Sequence, residues 1–127
     1  MRIVPVYAAL LALLFVVLSV RTLRLRGRLR VALGDGGRPE LQRAMRVHAN
    51  FAEYAPLGLL LIAMLELQGA PAWQLHALGA LLLFGRAVHA FGVSRAREKL
   101  ALRVTGMAAT LAVLIAASIA LLVRAQS

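Results

Sequence analysis

The sequence predicts an all-α membrane protein: a bundle of four transmembrane helices forming one domain over residues 1–127. Three observations carry this expectation. Of the 127 residues, 61% are hydrophobic and only 16% charged, against about 25% charged in an average soluble domain. Four apolar runs are each long enough to approach the roughly 20 residues that cross a hydrocarbon core about 30 Å thick. Together they leave room for connections but not for a second domain. The net charge of +10 lies mostly between those runs.

The first run extends from Ile3 to Val20, interrupted only by Pro5 and Ser19. With Arg2 ahead of it, it has the outline of a signal peptide. It exceeds the usual apolar core of about 7 to 15 residues, and no small-x-small cleavage site follows, so it reads as a retained helix over about 3–22. In the second run, the uncharged stretch from Tyr54 to Leu65 is twelve residues, about 18 Å of helix. To span, that helix must begin far earlier, giving about 42–68. His48, Asn50 and Glu53 then lie at or below headgroup depth.

Gln68, Gly69 and Pro71 form a short turn, and Trp73 is placed to anchor the third helix, about 72–94, at the interface. Arg86 and His89 lie toward its far end. The fourth helix, about 101–124, follows Arg103 with twenty uncharged residues.

Twelve of the fifteen Lys and Arg residues fall in two segments, Arg21 to Arg46 and Arg95 to Arg103, and the turn between helices two and three has none. The positive-inside rule puts both basic connections in the cytoplasm and both termini, with the short turn, on the opposite face. Arg21, Arg24, Arg26, Arg28 and Arg30 are most simply topology determinants and contacts to membrane lipid headgroups. Within the first connection, GDGGRPEL combines turn glycines with Pro39 near a helix start.

Several chemistries are excluded or disfavoured. Without cysteine there is no disulfide and no protein thiol nucleophile, so thiol chemistry would need a substrate's sulfur. Nucleic acid is set aside, because long apolar runs separate the basic clusters. A metal site is not expected, since His48, His89 and Glu53 lack a compact ligand motif.

The remaining polar groups converge at one end of the bundle. Arg43, Arg46, Asn50 and Glu53 are spaced to share one face of helix two, Arg86 and His89 are one turn apart, and Arg103 opens helix four. Ionisable groups at such depth are costly and mark functional candidates. They predict a basic pocket, open to the cytoplasm, containing one buried carboxylate. The plain alternative is that Glu53 is a structural partner for a neighbouring arginine.

The arrangement Arg-x-His-x-Asn-x-x-Glu-Tyr-x-Pro, from Arg46 to Pro56, with Arg86-x-x-His89 on helix three, resembles the signature of the membrane-associated proteins in eicosanoid and glutathione metabolism. The resemblance covers essentially the whole chain and implies a homotrimer with glutathione held between neighbouring subunits. Position by position, it implies that Glu53 receives the glutathione amino group. Arg46 and Asn50 would hold carboxylate or peptide oxygens, with Tyr54 and His89 completing the set. His48 would contact the glycine end, and Arg24 or Arg26 would reach across from one subunit to the next. Arg103 matches the helix-four arginine near the sulfur, the catalytic position.

The implied activity is a glutathione transferase or peroxidase acting on small lipophilic electrophiles or hydroperoxides, in a bacterial inner membrane. A pocket of guanidiniums with one carboxylate complements two carboxylates and an ammonium, and a nearby arginine favours the nucleophilic thiolate. Two positions depart from relatives: Val93 stands where several have tyrosine, and Ala49 where the prostaglandin synthase branch has arginine. The same scaffold could instead serve a non-catalytic lipid- or ligand-binding protein. A proton-coupled exporter would also use a membrane carboxylate, but it suits the basic first connection poorly.

Overall fold

A computed structural model of the chain describes residues 1–94 and 100–127; Arg95, Arg97, Glu98 and Lys99 of the second basic segment lie outside the described residues. Four helices follow in order: α1 (Val4–Leu29), α2 (Pro39–Leu67), α3 (Ala72–Ser94) and α4 (Leu100–Ala125). Each is long and apolar enough to cross a membrane. The helices run alternately up and down. Arg21 reaches Ser94 at one end, while Arg124 donates to the Gln68 carbonyl at the other.

Helix α1 continues to Leu29, about seven residues past its expected end. The arginines that mark the exit from hydrocarbon do not break the helix, because Arg and Leu are good helix formers. It stops where Arg30 adopts a left-handed conformation and its N–H returns to the Arg26 carbonyl. Helix α2 likewise begins earlier than expected, at Pro39, whose missing N–H is harmless in a first turn. Between them, Asp35 accepts from the Gly37 N–H at 2.9 Å and shapes the turn. The α2–α3 turn closes with the Ala70 N–H on the Leu65 carbonyl, at 3.0 Å, across Gly69 at φ +74°.

Glu66, at the far end of α2, accepts from the backbone N–H groups of Arg2, Ile3 and Val4 at 2.6, 2.6 and 2.7 Å. A carboxylate there satisfies orphan donors of α1 and complements its positive end. Beside it, the Tyr7 hydroxyl and His76 Nδ1 lie 2.8 Å apart. Glu66 and His76 thus tie α1 to α2 and α3 at this end of the bundle.

Helix α2 packs against all three other helices, while α1 and α4 do not meet among the described residues. The buried core runs through Leu11, Leu18, Val47, Phe51, Ile62, Leu65, Leu75, Leu82 and Val113. Outward faces are also apolar: Leu13, Val17, Ile115 and Leu122 are all exposed, as lipid contact requires.

Helices α3 and α4 approach closely. A Cβ on Gly106 would lie 2.6 Å from both the His89 Cβ and its backbone nitrogen, and one on Gly85 would lie 3.0 Å from the Gly106 carbonyl oxygen. Small residues let membrane helices approach this closely where no hydrophobic drive pushes them together. Gly106→Ala should therefore lower the thermal midpoint of detergent-purified protein, at a cost of about 1–3 kcal/mol for overpacking. Gly27→Ala, with nothing within 4 Å, should leave it unchanged or raised by about 0.5–1 kcal/mol. Melting followed by circular dichroism distinguishes the two.

Candidate functional site

Arg86 is 1% exposed, the largest fully buried side chain in the described chain. Its contacts come from α2 and α4. The Nε donates to Thr110 Oγ1 at 3.0 Å, Nη1 to Asn50 Oδ1 at 2.5 Å and to the Asn50 carbonyl at 3.4 Å, and Nη2 faces Met107 Sδ at 3.3 Å. The Tyr54 ring lies 5.8 Å from its guanidinium carbon, within cation–π range. Thr110 passes its own proton to the Gly106 carbonyl at 2.8 Å. One planar cation, unable to lose its charge, thereby joins three helices through neutral acceptors and a ring.

This arrangement sets the direction of Asn50. With Oδ1 occupied by Arg86, the amide NH₂ is left to face outward as a donor. Asn50 is half-buried, so a ligand alongside it must offer an acceptor, such as a carboxylate or peptide oxygen. Arg46 and Glu53 flank it on the open side, with Nη2 and Oε1 3.9 Å apart and side chains 60% and 53% exposed. The carboxylate expected to be buried is therefore open in the single chain.

The other expected residues are placed elsewhere. His48 turns to α1, where its Nε2 lies 2.9 Å from Ser19 Oγ and its ring stacks on Phe15 at 4.6 Å between centroids. It is two residues from Arg46, about 200° around a helix of 3.6 residues per turn, and so looks out from the opposite flank. His48 and Arg26 line one recess of about 540 Å³ together with Ser19 and Met45. Arg26 Nη1 also donates to the Gly34 carbonyl at 2.8 Å. Arg24, again about 200° from Arg26, lines a separate groove on the other side of α1 with Arg28 and Arg43.

The expected common face of Arg43, Arg46, Asn50 and Glu53 therefore divides. Arg43 belongs to the groove beside α1, Asn50 is half-buried with its Oδ1 held by Arg86, and Arg46 and Glu53 pair at the surface. His89, 4% exposed, lies in the α3–α4 seam against Gly106. Arg103 is exposed in the first turn of α4, its backbone nitrogen close to Gly92. No group of three or more His, Asp or Glu suited to a metal ion occurs among the described residues.

Sequence reasoning missed Thr110 and Met107, which hold Arg86 from α4. The available signal was Thr110 itself, a hydroxyl one turn after Gly106 in a span with no charge between Arg103 and Arg124. Thr110→Val, which leaves the Arg86 Nε without its acceptor, should cost about 1 kcal/mol. Arg86→Lys should cost more, since an ammonium cannot reproduce the planar fork. Thermal melting reads both, and a melt unchanged in Arg86→Lys would overturn the bridging role.

The chain matches the sequence profile of the MAPEG family over residues 4–123. It is also similar to two curated relatives, each named inner membrane protein YecN, from Escherichia coli strain K12 and Escherichia coli O6:H1. Each is 46% identical over 86 residues, which is 68% of this chain and 66% of the relative. The match thus spans just under two thirds of the relatives' length. With four membrane-crossing helices and a profile match along nearly its whole length, the chain belongs to the MAPEG family of membrane proteins.

Proposed function

We propose that the protein binds glutathione in a membrane and acts as a glutathione transferase or peroxidase on lipophilic electrophiles or hydroperoxides. The observation that carries this reading is the outward strip on α2: a guanidinium, an amide fixed as donor and a carboxylate, at Arg46, Asn50 and Glu53. Glutathione offers the complement: two carboxylates and peptide oxygens for Arg46 and Asn50, and an ammonium for Glu53. Tyr54 forms the edge of the same strip beneath Arg86. His89, in the seam behind it, is assigned to the binding wall.

The two flanks of α2 support a site shared between subunits. His48 and Arg26 face away from Arg46 and Glu53, so one chain cannot direct all four at one ligand. A neighbouring copy presenting its Arg26 and His48 to this strip would complete the pocket. Such a head-to-tail contact closes into a ring, and a homotrimer is the proposed assembly. It would also cover Glu53, about 21 Å of helix from the end of α2 at Leu67, a depth at which lipid contact with charge is costly. Arg26 is favoured over Arg24 for this reach because it shares the recess with His48.

In the proposed chemistry, the Arg103 guanidinium stabilises the thiolate of bound glutathione as its proton leaves to solvent. The sulfur lone pair then forms a bond to the electrophile and displaces its leaving group. The relatives' printed name supports placement in a bacterial inner membrane. The proposed orientation puts the site toward the cytoplasm and both termini in the periplasm. A binding protein without catalysis is the second reading; it is favoured by Val93, buried and apolar, at the position where the family resemblance implies tyrosine in several eukaryotic members.

Calorimetric titration of purified protein with glutathione should show binding that Glu53→Ala and Arg46→Ala each weaken by about tenfold or more. Absence of binding at millimolar glutathione in the wild type would sink the proposal. Arg103→Ala should spare most of the binding but abolish the ultraviolet absorbance of bound thiolate. An unchanged thiolate signal in that variant would remove Arg103 from the mechanism, and no thiolate signal in the wild type would favour the non-catalytic reading.

A further inference from the structure

Beside α1, on the flank away from the His48 recess, runs a groove of about 930 Å³. Its two ends differ in chemistry. Val16, Val17 and Val20 form one wall, and Arg24, Arg28 and Arg43 stand at the other end. Arg21 lies at the division. Its guanidinium is held by the Ser94 hydroxyl and, at 3.1 Å, by the Ser94 carbonyl, which joins α1 to the last residue of α3. Among the described residues, four guanidiniums line the groove against a single carboxylate, Glu40. That carboxylate is engaged by Arg28 at 3.1 Å and by Arg38 at 3.6 Å.

The depth of this division is set by helix length. From Val4 to Arg21 is about 26 Å of helix, and from Ala72 to Ser94 about 33 Å, so Arg21 and Ser94 both stand near the boundary of a hydrocarbon core about 30 Å thick. The valine wall lies inside that boundary and the arginine end lies among headgroups. A soluble anion would use the basic end and leave the valines wet or lipid-covered. An uncharged lipid would use the valines and leave the excess positive charge uncompensated. An anionic phospholipid satisfies both.

We propose that this groove is a binding site for one anionic phospholipid of the adjoining leaflet. The phosphate sits among Arg24, Arg28 and Arg43, and the upper acyl segments lie along Val16, Val17 and Val20. The site is separate from the glutathione strip, sharing neither Arg46, Asn50 and Glu53 nor the Arg26–His48 recess. Occupied, it bridges α1 to the start of α2, beside the Arg21–Ser94 link to α3.

The test is native mass spectrometry of the detergent-purified protein titrated with dioleoyl phosphatidylglycerol, with dioleoyl phosphatidylcholine as the zwitterionic control. The expected result is retention of phosphatidylglycerol at one per chain, well above phosphatidylcholine. Arg24→Gln, at an exposed position, and Arg43→Gln, at a half-buried one, should each lower retention about fivefold, in keeping with the contribution of one arginine near anionic lipid. Arg30→Gln, which removes an equal charge outside the groove, should change it less than about twofold. Val17→Trp should reduce retention by filling the apolar wall.

Inorganic phosphate at matched concentration should not displace the lipid. Equal retention of both lipids by the wild type would overturn the proposal. So would equal losses in Arg24→Gln and Arg30→Gln, which would reduce the effect to general surface charge, or full displacement by phosphate, which would leave the valine wall without a role.

Discussion

A guanidinium buried among membrane helices is the constraint around which this bundle is arranged. Arg86 cannot shed its proton and cannot reach water, so acceptors have to be brought to it. They come from α2 as the Asn50 carboxamide and carbonyl, and from α4 as the Thr110 hydroxyl and Met107 sulfur. Reaching α4 requires close backbones, and Gly85 and Gly106 allow that approach. The glycine seam and the buried cation are thus one device: the first sets the distance, the second fixes register by its planar donor geometry.

The same device prepares the face of α2. Asn50 is held from behind by Arg86, which decides which end of its amide looks outward. Arg46 and Glu53 stand beside it, paired with each other, their side chains 60% and 53% exposed in the single chain. A polar pair open on that flank of a membrane helix is costly against lipid, so the strip proposed for a zwitterionic ligand is also where a neighbouring copy is proposed. His48 and Arg26, on the opposite flank, are the surface a neighbour of the same sequence would bring. In the proposed function, ligand binding and assembly would draw on one periodicity, the half-turn between Arg46 and His48.

Much of this was legible in the sequence because apolar length is a one-dimensional property. Four spans, the turn at Gly69 and the helix-two signature follow from runs and spacings alone. What was not legible depends on partners distant along the chain. Glu66 looks like an ordinary interfacial carboxylate until the amino end of α1, more than sixty residues earlier, is seen to rest on it. Arg86 is recognisable as costly, but Thr110 and Met107 are not recognisable as its support. The end of α1 was misplaced for a different reason: charge marks where a helix leaves hydrocarbon, and helicity continues until a left-handed residue, Arg30, ends it.

The arginines show how far one residue type can be divided by position. Arg24 and Arg26 are two residues apart in sequence and equivalent in composition, yet helical geometry puts them on opposite sides of α1. One lies in a groove with Arg28 and Arg43; the other shares a recess with His48 and braces its own loop. Arg86, of the same chemistry, is enclosed by three helices. A net charge of +10 read as a total points only to a membrane orientation. Resolved by depth and by face, it becomes a topology signal at the connections, a rigid bridge inside the bundle, and separate anion-complementary surfaces on either side of one helix.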